Sequence, residues 1–121
     1  MLPIISPFLS IVNQLKVYHW QTYSFSEHKS FGDVYDSLSG KIDEFVEAYQ
    51  GIFGRVIAEA GFFEFSVENF SPDHVATIDG WISYLKSFSE DENLNRHSDL
   101  LNIRDEMLAD LNKLKYLLTL N

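Results

Sequence analysis

The stretch His28-Lys29-Ser30-Phe31-Gly32-Asp33-Val34-Tyr35, continued eight residues later by Asp43-Glu44-Phe45-Val46-Glu47, decides how this chain is read. Phe31, Val34, Tyr35, Leu38, Ile42, Phe45, Val46, Tyr49, Ile52 and Phe53 recur with the period of a helix, which predicts one long helix from about Ser26 to Ala60. Asp43 and Glu47 are four apart. Their carboxylates therefore leave one face of that helix roughly 6 Å from each other, near enough to share a hard or borderline cation. His28 opens the same helix, and His19-Trp20 lie just upstream. Asp36, Gly40, Asp43 and Glu47 form a stripe beside the apolar one. Glycine costs about 1 kcal/mol against alanine inside a helix, so Gly40 predicts the close approach of another backbone or side chain.

Outward from this segment the pattern stays helical. Phe8, Val12, Leu15 and His19 mark a first helix from about Pro7 to Tyr23, with Ser6-Pro7 as cap and first turn. His19 then falls on or near the buried stripe. Gly51 and Gly54 are expected to kink or interrupt the second helix. The connection Gly61–Pro72 carries Phe62, Phe63, Phe65 and Phe70, and so many rings are expected either to fold over the bundle or to form a subunit interface. Ser71-Pro72-Asp73 opens a shorter third helix with Val75, Ile78, Trp81, Ile82, Leu85 and Phe88 on one side. After the acidic turn Glu90–Asn93, a leucine-rich last helix runs from about Leu94 to Leu120. No strand or repeat is apparent. The expected fold is all-α: a four-helix bundle, with a crossover segment between helices 2 and 3, forming a single domain over residues 1–121.

Composition narrows the function. The 121 residues suit one domain, and 45% hydrophobic with 22% charged residues suits a folded, water-exposed one. Eighteen acids against nine bases give a formal charge of −9, and no basic run interrupts it, so DNA binding is not expected. The absence of cysteine excludes disulfides, zinc–thiolate sites and thiol nucleophiles. The apolar start Met1–Ile5 has no basic residue before it, and Asn13, Gln14 and Lys16 soon interrupt the stretch. No membrane partner is expected, and the localisation read from this is cytoplasmic. No nucleophile arrangement or phosphate loop is recognisable, and His74 and His97 are expected on the surface.

The histidine at a helix start, the acid-x-Tyr that follows as Asp33-Val34-Tyr35, and Asp43-x-x-x-Glu47 fifteen residues after His28 resemble the second helix of Dps-type mini-ferritins. His19-Trp20 is similar to the His-Trp pair that ends the first helix in that family. The motif resemblance covers roughly residues 12 to 50. It implies a ferritin-like bundle, at least a two-fold dimer, in which His19 and His28 of one subunit face Asp43 and Glu47 of the other. It also implies iron as the bound metal, with zinc able to occupy the same site, and Fe(II) oxidation with sequestration as the activity, a possible ferroxidase. The pattern departs from the family in three ways. The two histidines are nine apart, three fewer than in the family. Gly32 stands where the family carries another acid, with Asp33 or Glu27 as candidate substitutes. The third helix is short. The competing expectation is a helical protein of the same fold without the site, acting as a non-catalytic oligomeric or partner-binding module through its phenylalanine-rich segment.

Overall fold

The computed structural model describes residues 2–120 and contains four α-helices and no strand among them. Helix α1 spans Ile5–Gln21, α2 Phe25–Phe53, α3 His74–Lys86 and α4 Ser98–Leu117. Short 3-10 turns at Ser87–Glu90 and Leu94–Arg96 join α3 to α4. Helix α1 starts two residues earlier than expected, with Ile4 and not Ser6 at the cap, and Pro7 still lies in the first turn, where its missing N–H breaks no helical bond. Helix α2 starts on a sequence-encoded cap: the Ser24 hydroxyl accepts from the Glu27 N–H at 3.2 Å. It ends seven residues short of the expected Ala60. Gly54 adopts φ +90°, a conformation open to glycine, and its N–H donates to the Gln50 carbonyl as the last bond of the helix.

Helices α1 and α2 form an antiparallel hairpin closed by Thr22–Ser24. Residues 54–73 then travel back to the hairpin turn, alongside α1 and in its own direction. Ser10 Oγ donates to the Ser66 carbonyl, Gln14 both donates to and accepts from the Glu68 main chain, and Gln21 Oε1 accepts from the Phe70 N–H. Gln14 is buried because an extended segment satisfies both ends of its amide. Of the four phenylalanines in this strap, Phe70 packs inward, 5.6 Å from the Tyr18 ring centre and 4.8 Å from His74. Phe62, Phe63 and Phe65 stay exposed. Helix α3 therefore starts beside the start of α2 and runs parallel to it, and α4 returns so that the Leu120 carbonyl meets Ser26.

The core between α1 and α3 is built from rings, which hold the two backbones apart. Phe8 lies 5.4 Å from Phe45 and 6.2 Å from Tyr84, and Tyr18 stacks on Trp81 at 6.4 Å. Helix α4 adds Leu100, Met107, Leu111 and Leu114. Buried Arg104 donates to the Leu85 carbonyl and to Ser89 Oγ, satisfying the end of α3. Lys41 and Asp110 clamp α2 to α4 at 2.9 Å.

Burial raises the phenols of Tyr18, Tyr49 and Tyr84 above the ordinary 10.0, and the negative charge of Asp91 adds to the effect on Tyr49. A raised phenol favours the folded state only while the unfolded chain keeps its own phenols protonated. That contribution is whole below about pH 10 and is lost as pH climbs through the folded values. Urea unfolding midpoints should therefore hold steady from about pH 7 to 9 and fall above about pH 10. The fall should be shallower in Tyr84→Phe.

Candidate functional site

Two of the four sequence-derived candidates meet in one place. His19 closes the last turn of α1 and His28 stands in the first turn of α2, so the short Thr22–Ser24 turn brings their rings together, 3.9 Å between centres and 15° from parallel. Each ring bonds to the other's main chain: His19 Nδ1 to the His28 carbonyl at 2.6 Å, and His28 Nδ1 to the His19 carbonyl at 2.7 Å. A carbonyl only accepts, so both Nδ1 atoms carry the proton. In the neutral ring Nε2 then keeps a lone pair, the form in which imidazole serves as a metal ligand. The shortened turn thus leaves His19 beside His28 rather than displacing it.

Gly32 explains the missing acid. A Cβ at that position would lie 2.9 Å from Cε1 and Nδ1 of His19, so the histidine ring occupies the space that any side chain there would need. The rings open onto a depression of about 320 Å³ shared with Lys16, Lys29, Asp33 and Asp36. The Lys16 ammonium is held over the Tyr35 ring at 4.3 Å and lies 6.0 Å from the Trp20 ring. Of the two candidate substitutes, Glu27 is engaged elsewhere. It accepts from Thr22 Oγ1 at 2.7 Å and faces His74 Nε2 at 3.8 Å. Asp33 remains beside the histidines.

Asp43 and Glu47 are exposed further along α2 and take part in no hydrogen bond or ion pair among the described residues. Helical rise places them about 22 Å and 28 Å from His28 along the axis, and helical rotation places them about 60° and 100° from it around the axis. They share its outward flank and cannot reach it within one chain. Correspondingly, no three His, Asp or Glu side chains among the described residues gather into a cation site. Gly40, between the two groups on that flank, has nothing within 4 Å of a built Cβ, so the close neighbour expected there is not supplied by any of the described residues.

His74 departs from its expected surface position. It is half-buried, bonds the Ser71 carbonyl through Nδ1 at 2.9 Å, and packs on Phe70, Phe31 and Tyr18. The nearby Phe70 was the signal that could have placed it inside.

A family profile matches residues 19–118, a span that includes both histidines and both carboxylates. The chain belongs to DUF5856, a family of unknown function. No curated protein and no solved structure matches it. Among the described residues no helix is long and apolar enough to cross a membrane.

Proposed function

We propose that this protein binds iron at a site shared between two copies of the chain, with His19 and His28 of one facing Asp43 and Glu47 of the other, and that it oxidises and sequesters Fe(II) there. The observation that carries the reading is the reciprocal histidine pair. Each Nδ1–H is held by a carbonyl, which in the neutral ring leaves Nε2 for a cation, on the same flank as two carboxylates that have no hydrogen bond or ion pair among the described residues. Two antiparallel α2 helices related by a two-fold axis near Asp36 and Ser37 would bring each pair against the other. Such an axis passes close to Gly40, which would give that open glycine its neighbour. The single long strap, with α2 and α3 parallel, agrees with a ferritin-like bundle, the fold in which helices 2 and 3 are joined by one long crossover.

Imidazole and carboxylate together suit Fe(II), with Zn(II) competing for the same ligands. In the proposed reaction two Fe(II) each give one electron to a peroxide, whose O–O bond breaks, and the ferric product hydrolyses with release of protons. Without a cation, two such acidic flanks repel each other, so pairing of the chains should depend on metal.

Anaerobic Fe(II) followed by peroxide should give ferric absorbance faster than buffer with the wild type, and no faster than buffer with His28→Ala or Asp43→Ala. Sedimentation should show association on adding metal and dissociation with chelator. Oxidation at the buffer rate by the wild type would end the proposal. A second reading, a non-catalytic partner-binding module, is favoured by the exposed Ile57, Phe62, Phe63 and Phe65 of the strap. Association that ignores chelator and His28→Ala but is lost in Phe62→Ser/Phe65→Ser would select it.

A further inference from the structure

We infer that the stacked histidines are a closed gate on the cation site, that His19 is the ring that swings out to admit a cation, and that Gly32 is the clearance that lets the gate close. The inference rests on the shared-site reading above and concerns how that site is regulated.

An imidazole lone pair lies in the plane of its ring. Two rings 3.9 Å apart and 15° from parallel therefore aim their Nε2 lone pairs along nearly parallel planes, which do not converge on one ion at the roughly 2.0–2.1 Å that nitrogen ligation requires. For both rings to hold one cation, at least one must leave the stack. The two are not equivalent. The His19 carbonyl is in the last turn of α1, beyond the reach of helical donors, and His28 Nδ1–H is the group that satisfies it. The His28 carbonyl belongs to the first turn of α2, where the Gly32 N–H already serves it in the helical ladder. Releasing His28 would orphan a half-buried carbonyl. Releasing His19 forfeits one hydrogen bond and the stack, and leaves every main-chain group satisfied.

Gly32 fits this asymmetry. The three heavy atoms nearest its missing Cβ all belong to the His19 ring, two of them at 2.9 Å, so a methyl group there forces that ring out of its closed position. The remainder of the helix is undisturbed, since alanine is the better helix former.

Two measurements on the intact protein test the gate. The first follows the ring N–H protons by NMR at mildly alkaline pH. Wild type should show two imidazole Nδ1–H signals protected from exchange with water, and Gly32→Ala only that of His28. Adding Zn(II) to the wild type should likewise remove the His19 signal and spare that of His28. The second is calorimetric titration with Zn(II), where Gly32→Ala should bind about five- to tenfold more tightly, because the closed state no longer competes. Retention of both protected signals in Gly32→Ala, or in the zinc-loaded wild type, overturns the gate. So does equal or weaker zinc affinity in Gly32→Ala. Failure of both proteins to bind Zn(II) would instead overturn the shared site on which the gate depends, a result distinct from binding with equal affinity. The zinc-loaded wild type needs no variant, so the test survives any misfolding of Gly32→Ala.

Discussion

Phe45→Ala is expected to destabilise the protein by about 3–5 kcal/mol, a large share of the roughly 5–15 kcal/mol that holds a domain of this kind together. The Phe45 side chain is fully buried. Its ring centre lies 5.4 Å from Phe8 of α1 and 5.4 Å from Phe88 beyond α3, with Tyr49 at 6.4 Å. Alanine leaves a cavity walled by rings, and rings cannot slump into it as flexible methionines would. The thermal midpoint should fall by roughly 10–20 °C. Phe65→Ala, an equal deletion from the exposed strap, should change stability by no more than about 0.5 kcal/mol. Equal losses in the two variants would mean that the strap is buried in solution by something other than this chain. Phe45 also lies between Asp43 and Glu47 in sequence, so the helical turn that anchors the core also aims the two carboxylates outward.

The second large effect is a rescue. His28→Ala and Asp43→Ala, each alone, should be inactive in Fe(II) oxidation. Mixed one to one and allowed to exchange subunits, they should recover about a quarter of wild-type activity. Random pairing makes half of the dimers mixed, and each mixed dimer regains one of its two sites by matching the intact histidines of one chain with the intact carboxylates of the other. A site contained within one chain cannot be rescued in this way. Activity that stays at the background rate after exchange, while the wild type remains active, would remove the shared site and leave the histidine pair to be explained within a single chain. The variants need no new contacts, so the measurement is insensitive to small losses of stability.

The four-helix plan was legible because long, strongly periodic segments such as Phe31–Phe53 leave little choice of structure. Their ends were less so. Gly51 and Gly54 looked equivalent in sequence, yet only Gly54 takes a positive φ, and the helix stops there. The last helix was expected from Leu94, but Leu94–Arg96 is a 3-10 turn. His97, at φ −120° and ψ 92°, breaks the path before α4 begins at Ser98. Periodicity records which side of a helix is apolar, and says little about the residue at which hydrogen bonding changes partners. At the site, spacing alone indicated Asp43 and Glu47 as a pair and His28 as their companion. It could not show that His19 would lie flat on His28, or that Gly32 is small for the sake of that ring. Both facts depend on the rotamers of two side chains brought together by a three-residue turn. The strap was the least legible part. Its four phenylalanines read alike, and only tertiary packing separates Phe70 from the other three.

The strap also has a mechanical consequence. Its amides at Glu68 and Phe70 are held by the side chains of Gln14 and Gln21, not by another strand or a helix. Lifting it costs these bonds, the Ser10 bond to the Ser66 carbonyl, the Gln21 bond to Asn69 and the packing of Phe70, but no hydrogen bond of the helical ladders. The chain therefore has a way of opening that is separate from unfolding. It would bare the polar seam along α1 and loosen Phe70 from Tyr18 while the remaining core stays closed, much as a strap can be unbuckled without taking the case apart.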